Sequence, residues 1–367
     1  MSQLDRTAVE ALLARARRDV DDGSLPAVQL ALGYRGEIVE FATYGAPADA
    51  RFLTYSVTKA FSGGLAWLLM SDGVLGESTR VADVVPEFAA NGKGEVTIAH
   101  LLTHTAGFPR APMRPEEGAD REQRRMRLAS WRLDWKPGTQ TEYHPTSAYW
   151  ALVEVIDELT SGDFRQVFAD RIAGPLGITG LTIGAPIGAQ DDVVPVTSVG
   201  VLADGMETYG DKVKETGGNF LLRFNSPQVL ASGVPGAGAV GTAADVATYY
   251  QALLHNPGGL WDADVLADAT GHVRNTLIDP LFNCPANRTL GLVVAGADDK
   301  AAVRGFGAHT GPRAFGALGV GGQIAWADPD SGLSFSYLTS GLDVDIVASF
   351  VRSAKIAGLA ARCAQAM

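Results

Sequence analysis

The chain has 367 residues, 46% of them hydrophobic and 19% charged, enough to bury a full core and to divide into two lobes. Its 30 Lys and Arg stand against 41 Asp and Glu, and the net charge of -11 repels nucleic-acid backbones and anionic membranes. A small neutral partner is therefore expected.

In chain order, Val9, Leu12, Leu13 and Ala16 carry a helical period over residues 7–20, which Asp21-Asp22-Gly23-Ser24 stops. Pro26 to Leu32 reads as a strand, and Glu37 to Ala42 follows after a Gly36 turn, so a hairpin is expected. Helical segments come next near 56–71, 96–103, 145–160, 163–172 and 242–254, separated by loops rich in Pro and Gly. Strands return at Leu292-Val293-Val294, Gln323 to Trp326 and Leu333 to Leu338, before a helix from Val344 to Gln365. The pattern predicts an α/β lobe of residues 1–70 plus 270–367 and an inserted, mostly helical lobe of 71–269, with a ligand cleft between them.

The opening Met1-Ser2-Gln3-Leu4-Asp5-Arg6 has neither a basic n-region nor an apolar h-region, so no export signal is read there. No apolar run reaches the roughly 18 residues that span a bilayer. Cys284 and Cys363 are far apart, with neither metal nor redox spacing, and fit a reducing compartment. A cytoplasmic location is expected, with no metal or organic cofactor and no constraint on oligomeric state.

Ser56-Val57-Thr58-Lys59 places a lysine one helical turn after a serine at a helix start, because Ala60, Phe61, Leu65, Leu68 and Leu69 follow at helical spacing. The amine can reach the hydroxyl and take its proton, provided burial or a neighbouring cation lowers its pKa from about 10.4. The plain alternative is a capping serine followed by a solvent-facing lysine. Tyr143 lies in a loop bounded by Pro137-Gly138 and Pro145, where a phenol could shuttle a proton or simply pack. His104 closes the stretch His100 to Phe108 and reads as a structural cap. Phe108, Trp131 and Trp135 are loop aromatics that suit either a pocket or a core. Phe315 to Leu333 is a glycine-dense strand, a turn and a second strand, where glycines permit close approach of a ligand.

Five ordered blocks together resemble the serine β-lactamase and penicillin-binding-protein superfamily, in its class C-like branch, which includes family VIII carboxylesterases. They are Ser56 to Lys59 for S-x-x-K, His100 to Gly107 for L-L-x-H-x-S-G, Tyr143 for the tyrosine of Y-x-N, Gly236 to Asp245 for G-G-x-x-S/T-T-A-x-D, and Phe315 to Leu333 for the third-motif strand region. The resemblance implies an α+β fold with an antiparallel sheet flanked by helices. It also implies Ser56 as nucleophile, Lys59 and Tyr143 as proton carriers, and an oxyanion hole from the backbone of Ser56 and Val320 beside Gly319. Two positions depart from the pattern. Pro145 replaces the Asn of the second motif, and Ala317, followed by Leu318, stands where relatives carry Lys or His. These losses point to small neutral esters or lactones. A β-lactamase, an amide or peptide hydrolase, an acyltransferase and a catalytically silent binding protein stay open as alternatives. His309-Thr310-Gly311 and Arg313 are the nearby candidates to compensate for the missing cation.

Overall fold

The computed structural model describes residues 4–201 and 220–364. Its centre is a six-stranded antiparallel sheet made from both ends of the chain: β1 (Val28–Tyr34), β2 (Glu37–Tyr44), β3 (Val293–Val294), β4 (Phe315–Gly319), β5 (Gln323–Asp328) and β6 (Leu333–Thr339). The order across the sheet is β2-β1-β6-β5-β4-β3, so the N-terminal hairpin pairs with the C-terminal strands through Val28↔Thr339 to Tyr34↔Leu333. The expected α+β class and antiparallel sheet are what the structure shows.

The three central strands β1, β5 and β6 are buried on both faces, so their alternation is large against small. Val28, Leu30, Leu32, Ile324, Trp326, Leu333, Phe335 and Tyr337 pack with Val9, Leu12 and Ala16 of α1 (Arg6–Asp21) and with Ile356, Ala357 and Ala360 of the C-terminal helix Ile346–Arg362. The last residue of the predicted terminal helix, Gln365, lies outside the described residues. The opposite face carries Ala31, Gly33, Ala325, Ala327, Ser334 and Ser336. Small side chains there admit the helix Ala243–His255: Ser334 Oγ donates to Ala247 O at 2.9 Å, and a Cβ on Gly33 would meet Gln251 Cγ at 2.6 Å. That helix falls in the segment expected to be inserted, yet it covers the sheet.

The helix α2 (Thr58–Ser71) is buried from Thr58 to Leu69, as a helix apolar on every side must be. Trp67 Nε1 donates to Leu290 O at 2.9 Å and Tyr249 Oη donates to Ala60 O at 2.9 Å, which fix its roll. A further buried helix, Ser147–Thr160, follows the loop that carries Tyr143.

Two histidines hold that loop. His104 adopts φ +61° just beyond the helix Ile98–Leu102, and its Nδ1 accepts from His144 N at 3.0 Å. His144 Nε2 accepts from Phe108 N at 3.2 Å, while Nδ1 lies 2.7 Å from Glu142 O, a pattern that assigns its proton to Nδ1. The structural role expected for His104 is therefore a latch on Tyr143-His144. Burial pushes His144 down to about 4 and His104 well below the usual imidazole range.

Below pH 6.5 an unfolded chain takes up a proton at this residue that the folded His144 refuses down to about 4, so stability falls as pH falls across that window. The loss should approach about 3 kcal/mol. Thermal melts of wild type and His144→Gln between pH 7.5 and 4, run side by side, test this: the variant should lose less stability over that interval, and parallel curves would contradict it.

Candidate active site

Ser56 sits in a tight 3₁₀ turn, Tyr55–Val57, that feeds directly into α2. Tyr55 holds φ +42°, a left-handed conformation costing a β-carbon-bearing residue of the order of 1–3 kcal/mol. The surroundings enforce it. Thr54 N donates to Ala239 O at 2.9 Å, Tyr55 Oη donates to Leu221 O at 3.0 Å, and the Tyr55 ring meets Phe224 edge to face at 5.4 Å. The hydroxyl of Ser56 is thereby presented at the mouth of a cavity.

Lys59 is 3% exposed, and its Nζ lies 3.2 Å from Ser56 Oγ, 2.7 Å from Pro145 O and 2.7 Å from Gly236 O. An uncharged amine has two N–H groups and one lone pair. With the N–H groups on the two carbonyls, the lone pair is left for the serine proton. Burial, and then the charge of Arg288, push the Lys59 pKa well below its usual value of 10.5. The solvent-facing alternative for Lys59 is thus not what the structure contains. Pro145, which stands where the resembled motif has Asn, contributes its carbonyl in place of a side-chain amide.

Tyr143 completes the group. It lines the same cavity as Ser56, its ring centroid lies 4.9 Å from Lys59 Nζ, and burial raises its pKa, so the phenol keeps its proton. Ala317, Leu318, Gly319 and Val320 line the same cavity. Gly319 is required by proximity: a Cβ there would stand 2.8 Å from Thr54 O, so only glycine lets β4 approach the Ser56 turn and bring Val320 beside it.

Phe108 and Trp135 stand elsewhere. Phe108 is 1% exposed and packs against Trp131 at 5.5 Å and His144 at 5.3 Å; Trp135 lies 6.3 Å from His144. They form the back of the histidine latch, so of the pocket and core roles open to them the structure shows packing, and their placement as substrate-binding residues is corrected. Tyr55, Phe220, Phe224, Phe282 and Phe350 wall it instead. Apart from Tyr55, which adjoins Ser56, these come from segments with no motif, brought in by tertiary folding.

The cation also comes from an unexpected place. Arg313 pairs with Asp330 at the surface, and His309 lies beside Arg362 in a separate groove under the C-terminal helix. Arg288 instead lines the Ser56 cavity, with its Cζ 5.3 Å from the Tyr143 ring centroid. Its sole sequence signal is an arginine just ahead of the apolar run Leu290 to Val294.

The family model described as Beta-lactamase matches residues 10–349. Among curated relatives, the esterase/beta-lactamase LipL of Mycobacterium tuberculosis is 25% identical over 316 residues, covering 79% of this chain and 69% of the relative. Among solved structures, a family VIII carboxylesterase superposes with a TM-score of 0.79 at 25% identity over 97% of this chain and 98% of that one. A penicillin-binding protein homolog from Caulobacter crescentus gives the same TM-score of 0.79 at 23% identity, with coverage of 97% and 98%. With this match running from α1 into the C-terminal helix and a Ser-Lys pair joined by a hydrogen bond within it, the chain belongs to the Beta-lactamase family and is a serine hydrolase of that superfamily.

Proposed function

We propose that the protein hydrolyses small, uncharged carboxylic esters or lactones through an acyl-enzyme on Ser56. The observation that carries this reading is the Lys59 amine, 3.2 Å from Ser56 Oγ and otherwise bonded to two carbonyls, with no carboxylate among the described residues to hold it as an ammonium ion. Lys59 Nζ takes the Ser56 proton as Oγ bonds to the substrate carbonyl carbon. The negative charge moves to the carbonyl oxygen, facing the backbone N–H groups of Ser56 and Val320. Each such donor contributes roughly 3 kcal/mol to lowering the barrier. The carbon–oxygen bond to the alcohol then breaks, and the Tyr143 phenol supplies the leaving oxygen with a proton, replaced in turn by the one on Lys59. Water attacks the acyl-enzyme by the same relay in reverse and releases the acid and free Ser56.

The substrate class follows from the walls. Phe224, Phe282, Val293, Leu318 and Phe350 offer apolar surface to an acyl or alkyl group, and Ala317 offers no charge to a carboxylate. The names of two relatives similar to this chain, a family VIII carboxylesterase and an esterase/beta-lactamase, support the same direction. One observation favours a second reading: Arg288 places a guanidinium in the cavity, which would suit the carboxylate of a β-lactam.

Hydrolysis of p-nitrophenyl acetate and butyrate should be detectable in the wild type and absent in Ser56→Ala, and Lys59→Met should lower kcat/KM by about 10²- to 10⁴-fold. Unchanged turnover in Ser56→Ala would overturn the assignment. Nitrocefin turnover equal to ester turnover would favour the β-lactam reading, and failure of a fluorophosphonate to label the serine would favour a non-catalytic binding role.

A further inference from the structure

Arg288 is 8% exposed and is fixed by its backbone, which bridges Asn275 on one side and Val293 on the other. Asn275 in turn donates to Thr103 O at 2.8 Å and to Thr141 Oγ1 at 2.9 Å, which ties the arginine's segment to the turn before His104 and to the loop carrying Tyr143. The guanidinium ends up over the Tyr143 ring, and Lys59 Nζ stands over the same ring. Its counter-charge is incomplete. Asp279, itself buried, approaches only to 3.6 Å, and Arg288 Nε has no hydrogen-bond partner among the described residues. The other arginine lining the cavity, Arg304, differs on this point: its nitrogens are taken up by Asp298, Pro285 O and Ala295 O.

We propose that Arg288 is a positioning residue that keeps the Lys59 amine free to accept the Ser56 proton, a permanent cation supplied from outside the third motif. The inference rests on the Ser56–Lys59 reading above. The groups that face Lys59 leave Arg288 as the charge it feels. Tyr143 and Tyr149 face it as phenols, both raised by burial and so protonated. His104 and His144 lie nearby as neutral imidazoles, lowered by burial. Ser56, Pro145 and Gly236 contribute an uncharged oxygen each. Asp279 stands against Arg288 and softens its field without cancelling it. Lys59 and Arg288 both lie within 5.3 Å of one ring centroid, so their charges are at most about 10 Å apart. At an effective dielectric near 20, a second positive charge at that distance is disfavoured by roughly one pKa unit. An arginine stays protonated under all relevant conditions, so the lysine is the group that yields its proton.

The test is the pH dependence of the rate at which a fluorophosphonate labels Ser56, measured from pH 5 to 10 alongside kcat/KM for p-nitrophenyl acetate. Labelling needs the base but neither deacylation nor the natural substrate. Arg288→Met should move the acid limb up by roughly one pH unit, which is about tenfold in rate on that limb, with recovery at high pH. Arg288→Lys should restore the wild-type limb. Asp279→Asn, which strips the counter-charge, should move the limb down, and it carries the test should Arg288→Met fail to fold. Limbs that coincide in wild type and in the folded variants would overturn the inference while leaving the nucleophile in place. So would an Arg288→Met variant with an unshifted limb and a raised KM for carboxylate-bearing esters, because that result assigns Arg288 to substrate binding. A wild-type chain that never labels would defeat the nucleophile reading itself.

Discussion

Among the described residues the amine of Lys59 has three neighbours within hydrogen-bonding distance: the oxygens of Ser56, Pro145 and Gly236. None is negatively charged, and little water reaches the group, since the residue is 3% exposed. An ammonium ion buried without a carboxylate is expensive, so this arrangement selects the free base. Much of the surrounding structure serves to bring those two carbonyls together. Gly236 can lie there because it has no side chain: a Cβ would stand 2.8 Å from Pro145 O and 3.2 Å from Nζ. Pro145 is held by its neighbour His144, whose ring and backbone are bonded to Phe108, Glu142 and His104. A site that needs a neutral lysine thus leans on two neutral histidines behind it.

The sheet contributes rigidity in a different way. With large side chains on one face and mostly Ala, Gly and Ser on the other, the central strands β1, β5 and β6 bury both faces and have a single register that fits. That fixed register places Gly319 against Thr54 and Val320 at the cavity. The strained Tyr55 turn is tolerated because hydrogen bonds to Ala239 and Leu221 clamp it from two sides. The proposed nucleophile and oxyanion donors therefore stand on elements whose positions are set by packing and not by loop conformation.

Part of this was readable in the residues themselves. The spacing from Ser56 to Lys59 and the helical period after it are local, so they predict the pair and its common face directly. Strand positions in the two termini were equally plain, because continuous apolar runs bounded by turns have few other solutions. Tyr143 needed the company of the other motifs. Phe108 and Trp135 failed as pocket walls because a loop aromatic reads the same whether it faces a cavity or a histidine. Arg288 was invisible for a similar reason: its approach to Tyr143 depends on the bridge to Asn275 and that residue's bonds to Thr103 and Thr141, contacts between segments that no spacing rule connects. The sequence shows that Ala317 carries no charge, whereas the cation that does line the cavity, Arg288, is a neighbour in space and not in the motif.

The account stands or falls on the charge of one nitrogen. Selective isotope labelling of lysine, with Lys59 assigned by comparison with Lys59→Met, allows its side-chain Cε and Nζ resonances to be followed by NMR as pH is raised. A Lys59 that titrates well below 10.5, and so is already a free amine where the remaining lysines are still charged, is the predicted result. A Lys59 that titrates with the others, at or above 10.5, would contradict the account, because an ammonium ion beside Ser56 has no lone pair with which to take its proton.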